Sequence, residues 1–434
     1  MSDVAINPAT HPFNATLTPP GSKSITNRAL VLAALAAGKS TLTNVLFADD
    51  TRIMLEALES LGFEIESSES EHTVSIAGRA GTIPASSAKL FCGNSGTTIR
   101  FLTALCALGA GEFILDGVAR MRQRPIGDLV DMLKHLGVRT RYIEQPGFPP
   151  IAVHADHLPG GLLRAGAAQS SQFLSAILMV SPYARHELSV DLAEPQTSWP
   201  YVAMTMLIMD SFGITPELIR DPVTQEPRHI IIPQGRYNGQ SFAIEPDATN
   251  ASYLLAAAAI HPGSKLILPG LGRHSIQGDV GFADVLRRMG AAATVENNSI
   301  TITGPAELQG IDVDLSPMPD TAQTLAVVAL FAQGRTTIRG LATLRVKETD
   351  RLTAVKNELT KLGAQVSIEG DDLQIDAPLK LRSAEIATYD DHRMAMSFAL
   401  AATKSPGIII KDSECVNKTY PNYFDDLRKI LNAT

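Results

Sequence analysis

Apolar and polar positions along the 434-residue chain fall into two interleaved phrases. The first is an amphipathic helix that ends in an apolar residue, a glycine and another apolar residue, followed by a run with strand periodicity. Its copies are LEALESLGFEIE from residue 55, LVDMLKHLGVRTRYI from 129, MTMLIMDSFGITPELI from 204, FADVLRRMGAAATV from 282 and VKNELTKLGAQVSI from 355. Their glycines, Gly62, Gly137, Gly213, Gly290 and Gly363, lie 75, 76, 77 and 73 residues apart, which marks an internal repeat. Each stands where a helix end needs a left-handed residue before the chain turns into a strand. A sixth helix, NYFDDLRKILNAT, keeps the period. Its strand is expected from the segment before Gly21, which would put the first and last residues in one domain.

The second phrase is a polar cluster, an Ala- and Leu-rich helix, a turn with Gly or Pro, and a β-branched strand. It starts at Gly21, Gly93, Gln169, Asp247, Asp320 and Asp391. Together the phrases predict six βαβαββ-like repeats, three on either side of a boundary near residue 243. The expected fold is α/β with two domains, residues 22–243 forming one and residues 1–21 with 244–434 the other. Helices of the second phrase are apolar nearly all round and are expected to be buried. Their Ser, Thr, Asn or Asp caps would then set six positive helix ends toward some partner. Three clusters add groups that capping does not need: Lys23 with Arg28, Ser170 to Gln172, and His392 with Arg393.

Composition narrows the class. Charged residues are 19% of the chain and apolar residues 45%, which excludes a disordered or acidic-tail protein. The net charge of -8 argues against a general nucleic-acid or membrane surface, so any cationic site must be local. Cys92, Cys106 and Cys415 are odd in number and far apart, implying neither a disulfide framework nor a zinc site and fitting a reducing cytosol. No signal-type apolar core or apolar run of roughly 18 residues occurs, so a soluble cytoplasmic protein is expected.

The candidate chemistry is anion binding. PPGSKSITNRAL opens a helix with two Ser, a Lys and an Arg, but no first Gly precedes Lys23 at phosphate-loop spacing. The GKST at 38–41 fails for the same reason, with Gly38 expected to be a helix stop. No GxGxxG stands at a strand-to-helix junction, which disfavours nucleotide and dinucleotide cofactors. MRQRPIGDLVDML places Arg120, Arg122 and Arg124 ahead of Pro125, suited to an early helix position; a solvated basic loop would read the same. LRVKETDRL collects Arg345, Lys347, Glu348 and Arg351, with Lys347 and Arg351 on one face if helical, as in a surface ion-pair ladder. YDDHRMAM and VNKTYP set Arg393 and Lys418 beside apolar or aromatic residues, where a bare charge is less expected. His154 and His157 fall in a loop-like HADH and are read as solvent-facing, since no third metal ligand is near. No GxSxG supports a covalent hydrolase.

With PGSKS..NRAL, GNSGTTIR, RMRQRPI, SSQF, RVKETDR, DHRMAM and NKTYP in this order, essentially the whole chain resembles the 3-phosphoshikimate 1-carboxyvinyltransferase family. Each motif alone is weak; seven in register are specific. The resemblance implies two domains of three βαβαββ repeats, an inverse α/β barrel closed by the N-terminal strand, with the site in the cleft between domains. It implies transfer of the enolpyruvyl group of phosphoenolpyruvate to the 5-hydroxyl of shikimate 3-phosphate, releasing phosphate, without metal or organic cofactor and in a monomer.

By family correspondence Ser24, Arg28, Ser170, Ser171, Ser198 and Tyr201 hold shikimate 3-phosphate, with Lys347 near its phosphate. Gln172 lies near both substrates and Lys23 between them. Gly96, Arg124, Arg351, Arg393 and Lys418 hold phosphoenolpyruvate, with Asn94 shaping the Gly96 turn. The chemistry is addition then elimination. Asp320, expected at a helix start, is the choice of base and also a shikimate 3-phosphate contact; Glu348 and Lys23 are the acid candidates. Two positions depart from the pattern of many relatives: Thr343 stands for Asn and Phe101 for Pro.

The nearest rival is the sister transferase acting on UDP-N-acetylglucosamine, whose family usually carries a reactive Cys on the loop that here reads ARMRQRPIGD. A ring or scaffold around nucleic acid would want basic residues along helix faces. Here they sit in polar turns at helix starts.

Overall fold

A computed structural model of the chain describes residues 2–166 and 170–433. Gln169, where the third buried-helix phrase was expected to open, lies outside the described residues. Two compact units emerge: Gly21–Ile244, and Met1–Pro20 with Glu245–Thr434.

Helices of two kinds alternate along the chain. They are α1 (Lys23–Leu35) and α2 (Asp49–Ser60), α3 (Gly96–Cys106) and α4 (Gly127–His135), α5 (Ser171–Val180) and α6 (Trp199–Ser211), α7 (Ala248–Ile260) and α8 (Phe282–Arg288), α9 (Ala322–Val328) and α10 (Arg351–Lys361), α11 (His392–Ala402) and α12 (Tyr423–Leu431). The odd-numbered helices are the Ala- and Leu-rich ones, and every residue of α3, α7, α9 and α11 is buried. Such helices offer no polar face to water and form the interior of each unit. Ser22, Ser95, Ser170, Asp247 and Asp391 cap α1, α3, α5, α7 and α11, each side chain accepting a first-turn N–H. α9 differs: it begins without a side-chain cap, and Asp320 lies in the 3₁₀ turn Pro319–Thr321 ahead of it.

The even-numbered helices end as their glycines require. Gly62, Gly137, Gly213, Gly290 and Gly363 have φ of 88, 87, 92, 108 and 101°. In all five, the glycine N–H bonds the carbonyl three residues back and the next N–H bonds the one five residues back, as in Gly363 to Thr360 and Ala364 to Leu359. This is the Schellman arrangement, which satisfies the last carbonyls and redirects the chain into a strand. Gly38 does not play that part. α1 ends at Leu35 with Ala36 extended, and Gly38, at φ 95°, lies inside the strand Ala37–Thr43.

The five four-stranded sheets among the described residues share one topology. In the second repeat, Ser87–Phe91 runs parallel to Ala110–Asp116, which pairs antiparallel with Ile151–Asp156, itself antiparallel to Arg139–Tyr142. The HADH segment is therefore partly strand, and His154 sits half-buried opposite Glu112 and Arg139. Three repeats borrow strands from distant sequence. Ser241–Ala243 lies parallel to Ala37–Thr43 in the first, and Asn14–Thr16 parallel to Lys265–Pro269 in the fourth. Val4–Ala5 pairs antiparallel with Ile408–Ile410 in the sixth. The N-terminal segment thus supplies two strands, and Asn14 N–H also bonds the carbonyl of Ala433 beyond α12.

Candidate active site

In the unit Gly21–Ile244, the starts of α1, α3, α5 and α6 carry the predicted residues. On α1, Lys23 is mostly buried, its Nζ 3.3 Å from the buried Asp50 carboxylate at the start of α2. One turn on, Arg28 is 1% exposed: Nε donates to Thr205 Oγ1 at 2.7 Å, Nη1 to the Ser24 carbonyl at 2.9 Å, and Nη2 to Ser175 Oγ and the Tyr201 carbonyl at 3.3 Å each. Its guanidinium lies over the Phe101 ring, 5.2 Å from the centroid. Four of the five N–H groups of a guanidinium are thereby engaged, so at most one Nη1 hydrogen remains for a ligand. Arg28 is foremost a brace joining α1, α5 and α6. Burial pushes its pKa down to about 10, still leaving it cationic at neutral pH.

The start of α3 is shaped by a close approach. A Cβ built on Gly96 would stand 2.5 Å from Nη2 of the buried Arg124, so the missing side chain lets the guanidinium lie over the helix end. Arg124 Nη1 donates to the Asn94 carbonyl at 3.0 Å and to its side-chain oxygen at 3.3 Å. Of the three neighbouring arginines, Arg122 pairs with Asp116 and Glu144 on the surface and Arg120 donates to Gln123. Pro125 precedes α4 by two residues instead of opening it. At α5, Ser170 Oγ accepts the Gln172 N–H, and the Gln172 amide bridges Thr97 Oγ1, at 3.2 Å, and Arg100. Ser171 lies in the same first turn. Ser198 precedes α6 in a left-handed conformation, φ 51°, which is strained for a residue with a Cβ. It sets the turn in which Tyr201 N–H bonds the Ser198 carbonyl.

In the other unit the site is an ion network centred on Asp320. Its Oδ1 is 3.0 Å from Arg351 Nη1 and 3.4 Å from Lys347 Nζ, and its Oδ2 is 2.9 Å from Arg393 Nη2. Those pairs, and not helix capping, orient the carboxylate. Arg351, 1% exposed, also holds Asp391 through Nε and Glu348 through Nη2, both at 2.7 Å. Burial opposes its charge, but Asp391, Glu348 and Asp320 outweigh that and hold its pKa above the ordinary arginine range. Four of its five N–H groups bond these carboxylates, which leaves one Nη1 hydrogen. Lys347 and Arg351 are not on one helix face either: a 3₁₀ turn ends at Val346 and α10 starts at Arg351, yet both reach Asp320. Arg345 joins surface pairs with Asp350 and Asp371. Arg393 donates Nη1 to Tyr253 OH at 3.1 Å. Lys418 is buried at the end of the 3₁₀ turn Ser413–Lys418 and counters the burial-raised pKa of Asp390.

Sequence reasoning missed Asp50, Arg100, Tyr253 and Asp279. Arg100 had a legible signal, a charge inside the apolar run of GTTIRFLTALC. Asp279 had none: its carboxyl, 4% exposed, accepts the Thr249 hydroxyl, and burial pushes its pKa up to about 6.

Residues 8–427 match the family model described as EPSP synthase (3-phosphoshikimate 1-carboxyvinyltransferase). The chain belongs to the EPSP synthase family. Curated relatives named 3-phosphoshikimate 1-carboxyvinyltransferase include one from Shewanella loihica, 44% identical over 98% of both chains, and one from Trichormus variabilis, 42% identical over 99% of this chain and all of the relative. A solved EPSP synthase from Acinetobacter baumannii aligns with TM-score 0.81 and 27% identity over 98% of this chain and 97% of that one. These matches favour the EPSP synthase family over the UDP-N-acetylglucosamine rival, and the chain is a transferase with the expected α/β fold. The two departures from the EPSP synthase pattern are both internal. Phe101 is fully buried under Arg28, and the Thr343 hydroxyl is buried without a hydrogen-bond partner.

Proposed function

We propose that the two clusters serve one reaction: transfer of the enolpyruvyl group of phosphoenolpyruvate to the 5-hydroxyl of shikimate 3-phosphate, with release of phosphate. The convergence of Lys347, Arg351 and Arg393 on the two oxygens of Asp320 carries the reading. It supplies a carboxylate to receive a proton and cations to face phosphate and carboxylate oxygens.

Ser24, Ser170, Ser171, Ser198, Tyr201 and Lys347 bind shikimate 3-phosphate, with Arg28 bracing the Ser24 and Tyr201 backbone. Arg124, over Gly96 and beside Asn94, holds phosphoenolpyruvate together with Arg351, Arg393 and Lys418, and Arg351 also fixes the carboxylates around them. Gln172 touches both substrates. Asp320 takes the 5-hydroxyl proton as the oxygen attacks C2 of phosphoenolpyruvate, and an acid adds a proton to C3. The tetrahedral adduct then loses that proton from C3 and expels phosphate, giving the enol ether. Lys23 is the better-placed acid, since its ammonium carries donatable protons, whereas Glu348 accepts from Arg351. Among the described residues no helix is long and apolar enough to cross a membrane. Burial pushes the thiols of Cys92 and Cys106 up, which suits a chain kept reduced in the cytoplasm.

Asp320→Asn keeps size and one acceptor oxygen, but removes the base and the second acceptor toward the surrounding cations. Turnover is expected to fall by about 100-fold or more, with shikimate 3-phosphate binding retained in titration calorimetry. Near-normal turnover in this variant would remove Asp320 from the chemistry.

A further inference from the structure

Arg393 is held by two carboxylates and a phenol. Its backbone N–H bonds Asp391 Oδ1 at 2.9 Å, its Nη2 bonds Asp320 Oδ2 at 2.9 Å, and its Nη1 bonds the phenol of Tyr253 at 3.1 Å. Tyr253 comes from the second turn of α7 and is fully buried. We propose that Tyr253 is the positioning residue for Arg393: a neutral acceptor that fixes the plane of the guanidinium without adding a second carboxylate to Asp320, which it already meets. The proposal rests on the assignment of Arg393 to phosphoenolpyruvate made above.

The ring of Tyr253 is itself held. Tyr423 of α12 meets it edge-on, with centroids 5.8 Å apart and an interplanar angle of 72°. Tyr423 in turn packs against Tyr420 at 5.6 Å and Phe424 at 5.2 Å, and its hydroxyl donates to the Met396 carbonyl at 2.6 Å. Met396 lies one turn after Arg393 on α11. A buried aromatic stack thus runs from α12 to the guanidinium and is tied to the helix that carries it.

The chemistry of the acceptor matters. Arg351, two bonds away through Asp320, is enclosed by three carboxylates and its charge is balanced within the protein. A fourth carboxylate at Tyr253 would do the same to Arg393. A phenol accepts the hydrogen bond without adding charge, and burial, which pushes its pKa to about 12, keeps it neutral across the working pH range.

Tyr253→Phe retains the stack and deletes only the oxygen. In the full chain, the KM for phosphoenolpyruvate is expected to rise about tenfold, as for loss of one hydrogen bond to a charged group. The KM for shikimate 3-phosphate should stay close to wild type, and the melting temperature should fall modestly because the buried Nη1 donor loses its acceptor. Arg393→Lys supplies the reference. On that background Tyr253→Phe is expected to have no further effect, whereas a merely structural role would lower activity in both backgrounds alike. If Arg393→Lys raises the phosphoenolpyruvate KM but Tyr253→Phe does not, the positioning role is wrong and the site assignment stands. If Arg393→Lys itself leaves that KM unchanged, the site assignment fails.

Discussion

Arg28 and Arg351 show why residue type alone does not reveal a role. Both are almost fully buried, yet Arg28 meets carbonyls, hydroxyls and a ring, while Arg351 meets three carboxylates. Their motifs announced cations close to helix starts, and they lie in α1 and at the first residue of α10. What the motifs did not announce is that Arg351 is already neutralised, because Asp320 and Asp391 lie 31 and 40 residues away in sequence. Asp279 is the sharper case, since nothing near it in sequence signals burial. Its folded pKa of about 6 exceeds its ordinary value of 3.8, so the folded state binds the proton more tightly than the unfolded chain. Its contribution to stability is therefore full below about pH 4 and is lost as pH rises through about 6. Asp279→Asn, which can still accept from Thr249, is expected to melt higher than wild type at pH 8, by on the order of 2 kcal/mol. The gap should close toward pH 4. Equal melting curves at both pH values would refute the buried charge.

At the scale of elements, the repeat was legible because a helix end that turns into a strand needs a residue able to adopt positive φ, and glycine is the residue that can. The borrowed strand Ser241–Ala243 was not legible: three residues carry too little periodicity, and its partner strand lies about 200 positions earlier. The same logic separates two kinds of glycine. Gly290 has φ 108° and its nearest neighbour to a built Cβ is 3.4 Å away, so Gly290→Ala is expected to lower stability by about 1 kcal/mol in denaturant titration while kinetics stay unchanged. Gly96 has no such backbone demand, but its Cβ would collide with Arg124. Gly96→Ala should keep the unfolding midpoint and raise the KM for phosphoenolpyruvate by about tenfold or more. Interchanged phenotypes would mean that the two glycines have been assigned the wrong way round.

For the whole molecule, a net charge of -8 coexists with cations gathered at helix starts. Each compact unit packs its apolar helices inside, and candidate site residues lie at or just ahead of the starts of α1, α3, α5, α9 and α11. The family relationship identifies the reaction, and the proposed site gives its parts to named residues. Phosphate release from phosphoenolpyruvate, followed with each of two acceptors, tests that account most directly. Release that requires shikimate 3-phosphate, and that UDP-N-acetylglucosamine does not support, is the predicted result. Release driven by UDP-N-acetylglucosamine alone, or none with shikimate 3-phosphate from a well-folded protein, would contradict it.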